Sequence, residues 1–324
     1  MQLLLAHQCV SLKKIIALMG VLFLLILFGC NHQEKASKWK VIQLESENQP
    51  DIVSAISFST RDKGLLTATN RGETSIFSSN SGDDWIQINN IEFHLYDMEH
   101  INNDLAVAVA NGGAILLTKD HGKTWIKAES GTVQPLMAIA FSDSLTGIAI
   151  GRDGVIIRTA DGAATWEIIE TNSASFLRDV SYIGNERWVA VGFSGTILYS
   201  DDNGLNWKEA VTETGRNLNS VAFLNERIGI AVGSEGIVLK SQNGGINWRE
   251  QENLGSRGLL DVRFYDDETG YISGFGGRLF STTDGGASWV LQNTGTDLGL
   301  RTIYFRDRDF VVIGSELGSI LVKD

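Results

Sequence analysis

Five arginines and three aspartates are the side chains of this 324-residue chain whose spacing could let them act together. Arg178 and Arg301 occupy one position of an internal repeat, Arg216 and Arg257 occupy another, and Arg152 lies in a turn predicted on the same side. Guanidinium groups offer forked donors that match carboxylates and phosphates, so five of them on one rim suit an acidic partner. The competing structural reading pairs them with Asp153, Asp179, Glu235, Asp261 and Glu316 nearby. Exposed pairs of that type contribute only ~0–1 kcal/mol each. Phe193 and Phe275, expected in hairpins of the same face, would add apolar anchors to a binding surface, or else pack between hairpins.

Asp97, Asp179 and Asp261 also share a register position. Two facing carboxylates are what glycoside hydrolysis requires. Carboxylates that bind backbone or neighbouring arginines at the rim of a channel are the expected use here, and no catalytic residue is assigned. His7, His32, His94, His100 and His121 show no ligand pair at metal spacing. The two cysteines, Cys9 and Cys30, precede the folded part, which therefore has no disulfide, thiol nucleophile or thiolate metal site. Each Gly-x-x-Gly lies between two strands and none opens a helix, so no phosphate cradle is expected. Neither a metal nor a cofactor is implied.

The elements that would position these residues are written in the spacing. Trp85, Trp125, Trp166, Trp207, Trp248 and Trp289 fall 40, 41, 41, 41 and 41 residues apart. Gly72, Gly113, Gly154, Gly195, Gly236, Gly277 and Gly318 are spaced by 41 throughout, each expected to supply the positive φ of a two-residue hairpin. Segments such as Leu136 to Phe141, Leu218 to Phe223 and Leu259 to Phe264 alternate apolar side chains as strands do. Each unit reads as strands a, b, c and d, with d beginning at the tryptophan. A period of about 40 residues with four strands per unit marks a propeller. The fold class is all-β, a seven-bladed β-propeller of four-stranded blades. The last unit stops at Val322-Lys323-Asp324 without an outer strand, and Trp39-Lys40-Val41-Ile42 resembles the missing one. N-terminal residues would then pair with the C-terminal blade and close the ring, leaving no open edge.

Each tryptophan ends a Ser/Thr-x-Asp/Asn-x-Gly-x-x-Trp turn, in which hydroxyl and carboxylate hold the backbone and the indole packs on the sheet. Ala163 in place of glycine, and Asn80 and Asn243 in place of aspartate, fit structural glue better than chemistry. These turns resemble BNR, or Asp-box, repeats. The longer pattern Gly-x-x-Gly-x-Ile-x-x-Thr-x-Asp-Gly-x-x-x-Trp, well shown by Gly154 to Trp166 and Gly195 to Trp207, resembles the photosystem II stability/assembly factor family. The likeness covers about Trp39 to Asp324. It implies a seven-bladed binding or assembly scaffold, a face rich in arginine, and, in cyanobacterial members, a lipoprotein facing a lumen. Sialidases share Asp-boxes but resemble six-bladed rings with an Arg-Ile-Pro element, and neither Pro50 nor Pro135 follows Arg-Ile.

Lys13 and Lys14 precede an apolar run from Ile15 to Phe28, the charged and apolar parts of a secretory signal. It ends in Leu27-Phe28-Gly29-Cys30, which resembles a bacterial lipobox and implies lipidation at Cys30. The expected organisation is a lipoprotein signal at 1–29, a tether at 30–38 and the propeller at 39–324. With 27 basic and 39 acidic residues the chain would repel nucleic acid. Together these features predict a monomeric, exported, membrane-anchored protein facing a periplasm or lumen, or the cell surface. It is expected to act as a non-catalytic scaffold for a membrane or envelope protein, bound through an acidic segment. The alternative is a carbohydrate-active or glycan-binding propeller.

Overall fold

The computed structural model describes residues 39–46, 50–60, 62–70, 72–251 and 253–323. The predicted signal, Cys30 and the tether lie outside the described residues. Among the described residues there are seven four-stranded sheets, each a blade. Blade 3 is representative, with strand a at Leu136–Phe141, b at Gly147–Gly151, c at Ile156–Thr159 and d at Glu167–Ile169. All three strand pairs in it are antiparallel. Strand d starts one residue after Trp166, which belongs to the turn instead.

Burial follows the radial order. Strand b is buried at every residue in blades 2, 3, 5, 6 and 7, because a neighbouring blade covers each face of the sheet. Short d strands such as Lys208–Glu209 and Arg249–Glu250 are exposed at both residues. The cores therefore lie between blades and not within them. One cluster joins Ile148, Ile150 and Ile156 of blade 3 to Leu177, Val180 and Trp188 of blade 4. Another joins Val53, Leu66 and Phe77 of blade 1 to Val312, Ile320 and Val322 of blade 7, which closes the ring. No blade could bury its faces alone.

The terminal strands complete the closure. Trp39–Gln43 pairs antiparallel with Ser319–Lys323, so the N-terminal strand is strand d of blade 7. Trp39 takes the place of a repeat tryptophan and meets Tyr271 edge-on, with ring centroids 5.7 Å apart.

Two local devices recur. In blades 1, 3, 5 and 6 the phenylalanine of strand a faces a glycine of strand b, as in Phe141↔Gly147 and Phe223↔Gly229. The missing side chain leaves room for the ring, whose edge then seats the indole, as for Phe223 and Trp248 at 5.8 Å and 83°. The second device is the turn itself. The Thr118 hydroxyl donates to Asp120 at 2.9 Å and accepts the Gly122 N–H at 2.8 Å. Asp120 accepts the Thr124 N–H at 2.9 Å and its hydroxyl at 2.6 Å. Asn243 does the same for the Asn247 N–H at 3.0 Å, and Ala163 takes the glycine's left-handed conformation at φ 68°.

Blade 1 departs from the expected turn. Its hydroxyl is Ser79, only three residues before Gly82, and the carboxylate that holds it is Asp84 at 3.1 Å, not a side chain at Asn80. The shorter turn moves the acceptor beyond the glycine.

The b to c hairpins also differ from expectation. They hold three residues, Arg152–Gly154 in blade 3, and two of them, Asp153 and Gly154, have positive φ. The repeat glycine answers a second demand as well. A Cβ on Gly113, Gly154, Gly195, Gly236 or Gly277 would run into a carbonyl of the segment leading to the next blade, Ser173 in the case of Gly154.

Candidate functional site

The a-strand starts, the d to a connections and the b to c hairpins lie on one face of the ring, and the Asp-box turns lie on the other. All five predicted arginines are on the first face, but they are not equivalent. Arg216 is paired, its Nε 3.1 Å from Glu235 and its Nη1 3.2 Å from Glu250. Arg301 donates to Glu316 at 2.6 Å. Arg152, Arg178 and Arg257 form no ion pair among the described residues.

What holds those three is aromatic or glycine surface. Arg152 and Arg178 both lie over Phe176, at 5.4 and 5.6 Å from its centroid, and Phe193 packs on the same ring at 4.8 Å. Arg301 lies 5.0 Å from the centroid of Phe275, which is exposed. The Arg257 guanidinium covers Gly276, in the hairpin next to Phe275. Stacking occupies the flat face of a guanidinium and leaves its in-plane N–H groups available. Phe193 is thus half-buried against Phe176 at the entry to its own blade rather than between hairpins, while Phe275 remains an exposed apolar side chain at the arginine rim. Phe176 was not singled out from sequence, although its place immediately before the recurrent Leu177 marks it as a rim residue.

The arginine face opens into the channel. Its mouth is a vestibule of 250 Å³ lined by Arg178, Arg301, His94, Tyr96 and Asn219 among others, and a second vestibule of 430 Å³ opens on the Asp-box face. Both are lined by Asp97, Asp179, Arg263 and Thr302, which form a waist between them. Arg263 lies in it, with Nη1 3.3 Å from Asp179 and Nη2 3.4 Å from Asp261. Sequence reasoning missed Arg263, yet strand alternation from Asp261 directs residue 263 into the same channel.

The shared-register carboxylates stitch blades together. Asp97 accepts the Ile139 N–H at 3.0 Å, Asp179 the Val221 N–H at 2.9 Å and Asp261 the Ile303 N–H at 2.7 Å, each from strand a of the next blade. Ser220 lies between Asp179 and Asp261, 2.7 and 2.8 Å from them. One hydroxyl has one proton and can donate fully to only one of them. The expectation that these carboxylates bind backbone is met, and the arginine they bind is Arg263, not a rim arginine. A hydrolytic role for Asp179 and Asp261 would require freeing both from these bonds.

Enclosure in the ring sets the electrostatics. Burial, reinforced by Asp179, pushes Asp97 up to about 6 despite its bond from Ile139. Burial and then the Asp97 charge push Glu99 up to about 8. Burial also raises Asp261. For Arg263 burial opposes the charge, but Asp261, Asp179 and Asp97 outweigh it and hold its pKa above the ordinary value. Arg178 is lowered, first by burial and then by the charge of Arg301. Among the described residues no three His, Cys, Asp or Glu side chains converge as metal ligands would.

The family model for the photosynthesis system II assembly factor YCF48 matches residues 69–160, 129–211 and 161–242, together more than half of the chain. The chain belongs to this family. A solved structure described as YCF48 bound to D1 peptide is 19% identical, with a TM-score of 0.73 over 89% of this chain and 96% of that one. YCF48 from Cyanidioschyzon merolae is 18% identical, with a TM-score of 0.71 over 89% and 98%. The WD40 repeats of RRP9 are 12% identical, with a TM-score of 0.71 over 87% and 96%, a likeness of fold alone. No curated protein sequence matches the chain. Membership of the YCF48 family rests on the repeat sequence, and the seven-bladed architecture agrees with it.

Proposed function

We propose that this YCF48-family chain is a non-catalytic scaffold whose arginine face receives an acidic segment of a membrane or envelope protein and assists its assembly or stability. The observation that carries the reading is the state of Arg152, Arg178 and Arg257, which have no carboxylate partner among the described residues, on the face that also carries exposed Phe275. Apolar anchors next to unpaired guanidinium groups are the composition of interface centres. The peptide held by the YCF48 structure supports a protein segment as ligand over a glycan. In this reading Cys30 is lipidated after export and anchors a monomeric propeller at a membrane surface facing a periplasm or lumen.

The test is photo-crosslinking in native membranes from two positions, Phe275 on the arginine face and Leu205 in an Asp-box turn, both exposed. A defined acidic segment of one membrane protein should be captured from position 275 and not from position 205. Capture from 205 alone would place the binding surface on the other face.

A further inference from the structure

The outer rim of the ring is not uniform. The outer strands of blades 6, 7 and 1 are Val290–Leu291, Trp39–Gln43 and Ile86–Ile91, and Lys40 is the one charged residue in these three strands. The other four outer strands all carry charge. Lys127 follows Ile126 in blade 2, Glu167 precedes Ile168 in blade 3, and blades 4 and 5 end in Lys208–Glu209 and Arg249–Glu250. Blades 6, 7 and 1 also adjoin, since core clusters join blade 7 to blade 6 through Trp39 and Tyr271 and to blade 1 through Val312 and Val53. Val41, Ile86, Val290 and Leu291 are between 44% and 66% exposed, so this arc of strand edges is apolar and open. Charged side chains are what ordinarily blunt such edges.

The chain leading into the arc limits what can cover it. Eight residues, Asn31 to Lys38, separate Cys30 from Trp39, so the two are at most about 30 Å apart. Lipidation of Cys30 then brings the bilayer surface within that reach of blade 7. The Asp-box face is poorly suited to rest there, because exposed Asp83, Asp84, Asp161, Asp201 and Asp284 would meet an anionic leaflet. Asp83 and Asp84 precede Ile86 in that turn, which confines the apolar contact to the strands themselves. Their apolar side chains can enter the headgroup boundary while Lys40 keeps its ammonium at the lipid phosphates. Four such side chains bind a membrane weakly alone, and an anchor within reach makes the contact effectively intramolecular.

We propose that the outer edge formed by blades 6, 7 and 1 is a membrane-contact surface, so that the lipidated propeller stands on the bilayer with its ring axis along the membrane plane. This rests on the lipidation of Cys30 and goes beyond it in fixing which part of the ring meets the lipid. The arginine face then opens sideways, toward a membrane protein in the same bilayer.

The folded part has no cysteine, Cys9 leaves with the signal and lipidation consumes the thiol of Cys30, so an introduced cysteine is labelled uniquely. The experiment places a nitrobenzoxadiazole probe on the full lipidated chain at Ile86→Cys or Val290→Cys. Comparison variants are Arg249→Cys on the far edge, Leu205→Cys on the Asp-box face and Phe275→Cys on the arginine face. Each is reconstituted into vesicles of phosphatidylcholine and phosphatidylglycerol, in which nitroxide-bearing lipid quenches probes at the membrane and iodide quenches those in water. Lipid quenching at 86 and 290 should exceed that at 249, 205 and 275 by about threefold or more, with iodide in the reverse order. Equal quenching at every position, or lipid quenching greatest at 205 or 275, would overturn the orientation. Protection at 86 and 290 that disappears as the protein is diluted in lipid would assign the edge to a second copy and overturn it likewise. The mass of the N-terminal peptide reads the anchor separately. A chain without acyl groups would overturn the anchoring on which the orientation rests, whereas a lipidated chain with 86 and 290 in water would remove the orientation alone.

Discussion

Arg263 of blade 6 reaches past blade 5 to Asp179 of blade 4, with Nη1 to Oδ2 at 3.3 Å, and so ties together two blades that do not adjoin. The same guanidinium holds Asp261 on its own strand. Arg263 thus compensates two enclosed carboxylates at once, and the waist of the channel depends on it.

Replacing Arg263 by alanine should destabilise the ring by about 3 kcal/mol at neutral pH, because Asp179 and Asp261 would be left enclosed without a cation. Urea unfolding measures it. A loss below about 1 kcal/mol would mean that the stitching bonds to Val221 and Ile303 suffice on their own.

Glu99 gives stability a pH slope of unusual sign. Its pKa of about 8 in the fold exceeds the ordinary 4.5, so the native state keeps a proton that the unfolded chain releases. Stability must then fall as pH rises from 4.5 to 8, by at most about 1.4 kcal/mol per pH unit. Asp97, raised to about 6, acts in the same sense below that value. His100, lowered from 6.5 to about 4, acts in the opposite sense between those values. Between pH 6.5 and 8 Glu99 is the group of these three that still titrates. Thermal unfolding of Glu99→Gln should be flat across that window where the wild type declines, and an unchanged slope would refute the assignment.

Two glycines with similar positive φ separate conformational cost from steric cost. A Cβ at Gly112 meets nothing within 4 Å, whereas one at Gly154 meets the Ser173 carbonyl. Gly112→Ala should cost about 1 kcal/mol from backbone conformation alone. Gly154→Ala should cost at least about 2 kcal/mol more, since overpacking against rigid backbone adds to it. Equal losses in chemical denaturation would show that the connecting segment yields freely.

In the Asp-box of blade 3, Asp161 accepts the Thr165 N–H at 2.9 Å and hydroxyl at 2.6 Å. Asp161→Ala should cost about 1 kcal/mol, and Asp161→Asn clearly less, because Asn243 shows that an amide oxygen can hold the backbone bond. If asparagine were as harmful as alanine, the carboxylate charge would have a role beyond the turn.

The fold was legible because its devices repeat. Seven registers of glycine, six tryptophans and the incomplete last unit left one architecture, and Trp39–Gln43 lies where the missing strand was expected. Single departures were harder to see. The shorter turn at Ser79 and the third hairpin residue at Asp153 change a local hydrogen bond without changing the period. At the site, sequence placed the arginines on one face but could not divide them into paired and unpaired. That division depends on whether a glutamate from the far edge of the blade comes within reach, as Glu250 of strand d does for Arg216 and none does for Arg178 among the described residues. Arg263 was overlooked because a single arginine in one blade interrupts no repeat.

The most direct test of the binding face is a quantitative crosslinking pull-down from native membranes, with the wild type beside a variant carrying Arg152→Gln, Arg178→Gln and Arg257→Gln. The wild type should recover a defined membrane or envelope protein, in amounts that fall as salt is raised, and the variant should lose most of it. Equal recovery by the two would contradict the claim that the unpaired arginines hold the partner.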